Sequence, residues 1–557
     1  MTAKRPADQP GIVDCLFLFG TILLSSVPYL ARLGFYSDDW GYQAALAPTS
    51  GQSLGTMFNA LLASDANLLI RPVQAALLAL EFKAFGRHPL PYHIACTVML
   101  GLVSILLYFL LTELRAGRLL GLVIALVFGL LPHYSTDRIW ISSQQAVVSM
   151  AFALLGIYGL MRSVRPEVQR PSAWVAFGAL ALVLSFLSYE VAAGLIFASV
   201  GVIAWRRYHE LTRHRKRTLA GLTGLACATA VLFVVGILKI RMQTRMSYHH
   251  HFFTHLGALI WHAIIQAVQF NFWTYGLHMP AVLAALYRQS ALSVIAFGSA
   301  ATITCLVAAY LLREVGSREI PSRRTCLWLM ILGFVLFGLG FALFFPSLDV
   351  DFSSVGTSNR IAIVSALGAC CTLIAVVGLA CSMLTTQRAR ARAFSLAIGV
   401  FCGMNSLVVS GIGSYWGKAT AQQSVILRSV STNVRSLPRK SVLLLDGFCR
   451  YSGPGVVFET DWDATGAIRL TLGDDSLVSD VVSSNLHFEE ARAATTMYGN
   501  AEGHYPYGNN LFVYNVRNET LTSLPSQETA IDYLRTMNPT GDSGCPPAHE
   551  GRGEKIF

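Results

Sequence analysis

Charged residues are scarce in this chain. They make up 13% of its 557 residues, about half of the roughly 25% that soluble proteins carry. Hydrophobic residues make up 54%, and apolar runs of about 20 residues, long enough to cross a bilayer, recur through the first three quarters. This composition excludes a soluble enzyme and a secreted scaffold. The sequence therefore predicts an α-helical polytopic membrane protein.

Three familiar signals are also missing from the sequence. No glycine-rich nucleotide-binding loop is evident, and most of the 46 glycines fall inside apolar runs, where close helix packing explains them. No internal repeat of the kind found in secondary transporters stands out. The first apolar run is long and lacks a convincing small-residue cleavage site, so we interpret it as a membrane span.

The distribution of basic residues gives the topology. With the N-terminus inside, every strongly basic loop falls on the same side of the membrane, as the positive-inside rule requires. About eleven transmembrane helices are predicted, and this odd number places the C-terminal part outside. The spans are predicted at 12–34, 91–114, 119–136, 141–161, 172–189, 191–205, 219–238, 291–312, 325–345, 361–384 and 393–413.

The net charge of +11 conceals two parts of opposite sign. Residues 1–440 carry 35 Lys and Arg against 15 Asp and Glu, whereas residues 441–557 carry 7 against 16. A basic membrane part and an acidic soluble part explain this split better than nucleic-acid binding does. We predict a membrane body at 1–415 and a small extracytoplasmic α/β domain at 416–557. The long outer loops of the body are predicted at 35–90, 239–290 and 346–360.

The predicted outer domain contains short apolar runs typical of strands. They lie at 441–447, 455–458 and 511–514, and turn residues follow the first. The domain also holds two of the eleven cysteines, Cys449 and Cys545, whereas the other nine lie in or beside the spans. A disulfide between the two is chemically allowed outside the cytoplasm, and the sequence leaves its formation open.

An acidic pair opens the first outer loop. Asp38 and Asp39 follow the first span directly, in the segment Tyr36-Ser37-Asp38-Asp39-Trp40. Carboxylates at such a position can act as a general base or as metal ligands. The alternative is a solvated acidic pair at a helix end, which is the commoner explanation for an isolated pair.

Further polar residues are predicted on the same outer face. Glu190, in a very short turn after Ser188-Tyr189, is expected to be buried, either as a functional acid or in a structural pair with an arginine such as Arg138. Arg360 follows Asn359 at a helix start and either binds an anion or extends its side chain towards the interface. The segment 256–277 is apolar and aromatic, and we interpret it as an interfacial or re-entrant helix.

A cationic segment follows the seventh span and departs locally from the positive-inside trend. Cations at a membrane surface can hold a lipid phosphate, whereas the histidine run that comes next is only a weak candidate for metal binding. The cations are Lys239, Arg241 and Arg245, and the histidines considered as metal ligands are His249 and His251.

The motifs of the outer face resemble the GT-C class of integral membrane glycosyltransferases. This class includes protein O-mannosyltransferases and bacterial aminoarabinose and lipopolysaccharide sugar transferases. The resemblance covers most of the chain in its layout, and the early acidic motif is its most diagnostic part. It rests on Tyr36 to Trp40, Arg71-Pro72 leading to Phe85-Gly86, Pro91-Tyr92-His93, Ser188-Tyr189-Glu190 and Asn359-Arg360.

The resemblance implies an inverting transferase that moves a sugar from a polyprenyl-phosphate donor to an extracytoplasmic glycan, glycolipid or protein. It implies a first-loop aspartate as general base. We prefer Asp39, with Asp38 as an orienting partner or metal ligand. No cofactor is assigned with certainty, a divalent metal is possible, and a bacterial inner membrane is expected. Donor-phosphate binding is assigned to Lys239, Arg241, Arg245 and Arg360, and substrate binding to Arg71, Glu190, Tyr189, Trp40, His93 and Arg138.

Two other classes of membrane protein remain alternatives. A polytopic transporter also carries intramembrane charges, but the long first outer loop and the outer domain fit it poorly. A flippase, polymerase or ligase of lipid-linked glycans would place its charges in a later outer loop and would not need Asp38 and Asp39. Asparagine at either position separates these hypotheses, because a transporter tolerates that change better than a transferase that uses the carboxylate as a base.

Overall fold

The computed structural model describes most of the chain, and helices dominate the described part. The described residues are 11–165, 168–210, 229–239, 241, 256–315, 320–344, 352–434, 436–484, 486–497, 500–537, 545, 548–549 and 553–554. The helices are α1 (Ile12–Ser26), α2 (Asp38–Leu46), α3 (Leu54–Ser64), α4 (Ala66–Ile70), α5 (Pro72–Phe85), α6 (Pro89–Glu113), α7 (Arg118–Leu130), α8 (Thr136–Ile139), α9 (Gln144–Val164), α10 (Pro171–Ser188), α11 (Ala193–Glu210), α12 (Thr229–Lys239), α13 (Leu256–Val268), α14 (Met279–Arg288), α15 (Val294–Val315), α16 (Arg323–Phe341), α17 (Ile363–Cys381), α18 (Gln387–Asn433), α19 (Asp461–Leu472) and α20 (Gln527–Met537).

Short helical turns join these helices. A nine-residue π-helix, Gln269–Leu277, links α13 to α14 within the segment that we interpreted as interfacial or re-entrant. The 3₁₀ turns are Leu30–Arg32, Ala47–Thr49, Pro132–Tyr134, Ile141–Ser143, Glu190–Ala192 and Thr357–Ala362.

Seven of the described helices are long and apolar enough to cross a membrane. They are Pro89–Glu113, Ile141–Ser163, Pro171–Ser188, Val294–Glu314, Arg323–Phe341, Thr357–Cys381 and Gln387–Asn433. The other four predicted spans coincide with shorter apolar helices: Ile12–Ser26, Arg118–Leu130, Glu190–Gly201 and Thr229–Lys239. The polytopic helical fold is therefore confirmed, and the number eleven stays a prediction.

Glycines allow the spans to approach closely, as their position in the sequence predicted. A Cβ added at Gly368 of α17 would meet the backbone of Phe337 in α16, and a Cβ at Gly340 of α16 would meet Ser365. Close approach of backbones is the usual way in which helices associate in lipid, where no hydrophobic force drives them together. The α16–α17 pair therefore depends on these two residues having no side chain.

The last helix of the body, α18, is continuous over 47 residues, or about 70 Å at 1.5 Å per residue. It passes without interruption through the proposed boundary between residues 415 and 416. Its outer part buries Trp416, Ile426 and Val430 in a hydrophobic cluster that also contains Leu443 of the C-terminal domain. The helical body and the C-terminal domain therefore share one core along this helix.

A small strand-containing domain follows α18. Its main sheet has the order β4-β1-β8-β9, in which β1, β4 and β8 are parallel and β9 is antiparallel to β8. Val442 lies opposite both Val478 and Leu511, and Leu443 to Leu445 are fully buried. The strands are β1 (Val442–Asp446), β2 (Tyr451–Ser452), β3 (Gly455–Val456), β4 (Val478–Val481), β5 (Leu486–Phe488), β6 (Arg492–Met497), β7 (Asn500–Pro506), β8 (Leu511–Asn515), β9 (Thr520–Ser523), β10 (Ala548–His549) and β11 (Gly553–Glu554).

A strand is present in each of the three apolar runs that predicted one. The runs at 441–447 and 511–514 form β1 and β8, whereas the run at 455–458 contributes only the two residues of β3. Cys449 and Cys545 form a disulfide with a Cα–Cα distance of 5.5 Å, which answers the question that the sequence left open.

A buried ionic network ties together the membrane end at which α1 begins. The Asp14 carboxylate of α1 accepts two hydrogen bonds of 2.7 Å from Arg118 of α7. It also accepts hydrogen bonds from the hydroxyls of Tyr108 in α6 and Tyr310 in α15, and Arg118 contacts Glu314 at 2.6 Å. A buried carboxylate with this number of donors is fully satisfied, so the network joins four helices.

We expect Asp14→Asn to destabilise the body by about 3 kcal/mol, because the amide cannot accept all four side-chain hydrogen bonds and Arg118 loses one of its two acidic partners. Thermal unfolding of the protein in detergent, followed by intrinsic fluorescence, measures the change. The exposed Asp475→Asn in the outer domain is the matched control. Equal melting temperatures for the two variants would show that the network is not needed for stability.

Candidate active site

The acidic pair begins α2, and an unusual backbone conformation precedes it. Ser37 has φ of 46°, a region that costs a residue with a side chain about 1–3 kcal/mol. Its hydroxyl contacts Glu459 at 3.5 Å and accepts a hydrogen bond of 3.2 Å from the indole of Trp462. Both partners belong to the C-terminal domain, so this domain holds the turn that sets the direction of α2.

Asp39 is buried, and its carboxylate binds to other parts of the chain. Its side chain is 2% exposed and accepts hydrogen bonds from the Ser142 amide at 2.8 Å, from the Ser142 hydroxyl, and from the Tyr36 amide at 3.0 Å. Burial raises the pKa of Asp39 to about 7, although these hydrogen bonds oppose the shift. Both carboxylate oxygens are therefore occupied by the chain itself, and Asp39 joins α2 to the turn before α9.

Asp38 has a different environment one residue earlier. It is half-buried, and within the described part of the chain its carboxylate accepts no hydrogen bond. Burial raises its pKa to about 6; the positive charges of Arg360 and Arg71 oppose this shift, and the negative charges of Asp65 and Glu459 add to it. Asp38 is thus a carboxylate with free oxygens, surrounded by two arginines and two acids.

A second group of predicted residues meets beside this carboxylate. Glu190 accepts a hydrogen bond of 2.8 Å from Arg71 and one of 3.2 Å from Lys239. The guanidinium of Arg71 lies 4.7 Å from the centroid of the Tyr189 ring. Glu190 is therefore paired, but with Arg71 and Lys239 rather than with Arg138, and two cations share one carboxylate.

Arg360 completes the cationic side of the site. Its guanidinium lies 5.1 Å from the centroid of the Trp140 ring, and Trp140 donates to the Tyr36 carbonyl at 2.9 Å. The preceding Asn359 is buried and accepts a hydrogen bond from the Thr136 amide at 3.1 Å. The start of the 357–381 span is thus fixed against the 132–140 segment, so that Arg360 acts electrostatically on Asp38.

Three residues that were predicted to bind substrate make structural contacts within the protein. His93 is fully buried and bonds through Nε2 to the Gly34 carbonyl at 2.9 Å. Arg138 is buried and donates to the carbonyls of Gly129, in the last turn of α7, and of Leu131, which follows it. Trp40 packs against Phe35 and Phe458, and its carbonyl lies against Gly466 of α19. Their roles in substrate binding stay predictions. The contacts that the structure shows hold neighbouring parts of the backbone in place.

The structure adds two acids that the sequence analysis did not select. Asp65 accepts a hydrogen bond of 2.7 Å from Tyr42 and caps α4 through the Asn67 amide. Glu459 accepts a hydrogen bond from Tyr451 and acts on Asp38 from a position more than 400 residues later in the chain. No spacing in the sequence links Glu459 to Asp38, because only the docking of the C-terminal domain brings them together.

Some predicted residues cannot be placed in the site. Arg241 is exposed at the end of the described segment that contains α12. Arg245, His249 and His251 lie outside the described residues. Across the residues that the structure describes, no group of three or more His, Cys, Asp or Glu side chains could hold a metal ion.

Comparisons with known proteins include a structural neighbour of the class that the sequence resembles. No family model matches the chain, and no curated protein matches it. Among solved structures, the chain is similar to ArnT from Cupriavidus metallidurans bound to undecaprenyl phosphate, with 13% identity over 83% of this chain and 85% of that one and a TM-score of 0.35. At this identity and TM-score, the likeness decides neither the reaction nor the site residues.

The two carboxylates should differ in their effect on stability. Asp39→Asn places an amide group against backbone donors and should cost about 2 kcal/mol, whereas Asp38→Asn removes no described hydrogen bond and should leave stability nearly unchanged. Thermal unfolding in detergent at about pH 8, where both carboxylates are ionised, measures the difference. Equal losses for the two variants would contradict the separate environments described above.

Proposed function

We propose that the protein is a membrane glycosyltransferase that moves a sugar from a polyprenyl-phosphate donor to an acceptor on the outer face of the membrane. The observation that carries this proposal is Asp38, a half-buried carboxylate with free oxygens beside Arg360 and Arg71. A base next to cations is what transfer from a phosphate leaving group requires. The sequence resemblance supports the same class.

In the proposed reaction, Asp38 is the general base. Its carboxylate takes the proton of the acceptor hydroxyl while the hydroxyl oxygen forms a bond to the anomeric carbon. The bond from that carbon to the donor phosphate breaks, and the electron pair leaves with the phosphate, so the configuration inverts. The free oxygens of Asp38 favour it over Asp39, which the sequence analysis preferred, because both oxygens of Asp39 already accept hydrogen bonds.

The cations stabilise the leaving phosphate in this proposal. Arg360 acts on Asp38 from one side, and Arg71 acts on it from the Glu190 group. Because Arg71 and Lys239 share one carboxylate, the trio retains one net positive charge. Charge fixed beside a departing phosphate stabilises the transition state more than the ground state. Arg241 and Arg245 stay as further predicted phosphate ligands.

We further propose that the outer domain lies outside the cytoplasm. The basic loops favour a cytoplasmic N-terminus, and the Cys449–Cys545 disulfide is typical of an oxidising compartment. A bacterial inner membrane with the domain in the periplasm fits both observations. The acceptor is then a cell-envelope glycan, a glycolipid such as lipopolysaccharide, or a protein.

Transfer in isolated membranes tests the proposal. Labelled polyprenyl-phosphate sugars are supplied with native envelope as acceptor to wild type, Asp38→Asn, Asp39→Asn and the exposed control Asp532→Asn. We expect Asp38→Asn to lower kcat by about a hundredfold or more, the usual contribution of a general base, while Asp532→Asn transfers normally. Rates are corrected for the amount of folded protein, because Asp39→Asn is expected to reduce that amount.

Several results would count against this function. Full transfer by Asp38→Asn would remove Asp38 as the base. A kcat loss confined to Asp39→Asn, at equal folded protein, would restore Asp39 to that role. Absence of label in the envelope from every donor, with substrate flux across the membrane instead, would favour the transporter hypothesis; joining of preassembled lipid-linked glycans would favour the polymerase or ligase hypothesis.

The pH dependence of transfer tests the base independently. Because Asp38 must be deprotonated to accept a proton, and burial raises its pKa to about 6, kcat/KM should fall about tenfold per unit below that pH. The negative charge of Asp65 raises this pKa, so Asp65→Asn should move the acidic limb to lower pH. An unchanged limb in Asp65→Asn would show that another group controls the profile.

A further inference from the structure

A cavity lies apart from the Asp38 site. It has a volume of about 460 Å³ and lies between the end of α1, the turn that joins α14 to α15, and the middle of α18. Arg32 and Lys418 are its charged lining residues, and the described part of the chain contributes no acidic residue to the lining. The residues that surround Asp38 take no part in this lining, so the cavity is a separate feature with a positive character.

The two cations of this cavity have no acidic partner among the residues that the structure describes. Across the described residues, neither Arg32 nor Lys418 forms an ion pair, and both are exposed. Lys418 Nζ lies 5.0 Å from the centroid of the Tyr415 ring, and Arg32 packs closely against Gly417. The fold therefore places two like charges on neighbouring residues of one surface, an arrangement that an anion between them would relieve.

Hydroxyl groups complement the cations. Ser290 and Ser293 line the cavity from the turn before α15. Ser293 Oγ accepts a hydrogen bond from the Ala296 amide, which leaves its hydrogen free to be donated. Guanidinium, ammonium and hydroxyl donors that converge on one space match the several acceptor oxygens of a phosphate group.

Apolar residues beside the cavity distinguish a lipid from a free anion. Val27, just after α1, is 57% exposed, and Val294 and Ile295, at the start of α15, are 88% and 56% exposed. These residues lie at the ends of membrane helices, where acyl chains would cover them. A ligand that suits the whole surface therefore has a phosphate head and an apolar tail.

The geometry points to a binding site for the phosphate group of a membrane lipid in this cavity, held by Arg32 and Lys418. The site lies at the membrane end that leads into the outer domain, because α18 continues from the cavity into the core of that domain. Cations at an interface attract lipid phosphates. This inference does not depend on the proposed transferase activity.

Binding of a short-chain lipid to the full-length protein in nonionic detergent tests the site. The probes are dioctanoyl phosphatidylglycerol, dioctanoylglycerol and inorganic phosphate, and isothermal calorimetry measures the affinity of each. We expect the phospholipid to bind wild type, and Arg32→Gln and Lys418→Gln to weaken it about tenfold each, as loss of a charge-assisted hydrogen bond does. Arg288→Gln is the matched control, because Arg288 is exposed nearby but does not line the cavity.

Each probe and variant has a decisive result. Equal phospholipid affinity in wild type, Arg32→Gln and Lys418→Gln would overturn the site. An equal loss in Arg288→Gln would reduce the effect to general surface charge and would also overturn it. The lipid-phosphate assignment would be overturned if inorganic phosphate bound as tightly as the phospholipid. It would also be overturned if dioctanoylglycerol bound as tightly as the phospholipid. Unchanged melting temperatures of the variants exclude unfolding as the cause.

Discussion

The hydrogen bonds accepted by the buried Asp39 carboxylate are the interaction on which the site depends. They join the first turn of α2 to the Ile141–Ser143 turn before α9, and thereby fix the direction in which Asp38 emerges from the chain. A carboxylate removed from water is tolerated only when donors replace its hydration. Ser142 and the Tyr36 amide provide those donors, so two adjacent aspartates acquire different chemistry. The Asp39 oxygens accept hydrogen bonds from the chain, whereas the Asp38 oxygens accept none from the described residues.

Much of the fold could be predicted from the sequence, because apolar runs and loop charge report directly on the membrane. Every predicted span contains a described helix, and the strands at 442–446 and 511–515 follow the apolar runs that predicted them. The lengths of the helices were harder to predict from the sequence. Hydropathy does not show that α18 continues to Asn433, because its later part is amphipathic and packs against the following domain.

The sequence predicted which residues belong to the candidate site better than it predicted which of them form ion pairs. Arg71, Glu190 and Lys239 were each selected as polar residues on the outer face, and the structure brings them into one ionic group. His93 and Arg138 were selected on the same grounds, yet their described hydrogen bonds are with backbone carbonyls. A polar residue that holds the chain and one that faces a substrate look alike in a single sequence. Their difference lies in which donors and acceptors the folded backbone leaves unsatisfied.

The uninterrupted α18 also has a mechanical consequence. A rod of about 70 Å acts as a lever arm, so that a change of tilt of about 3° displaces its far end by about 4 Å. Spanning helices adjust their tilt to the thickness of the surrounding bilayer. Because the later part of α18 shares a hydrophobic core with the C-terminal domain, a change of tilt would move that domain together with the end of the helix.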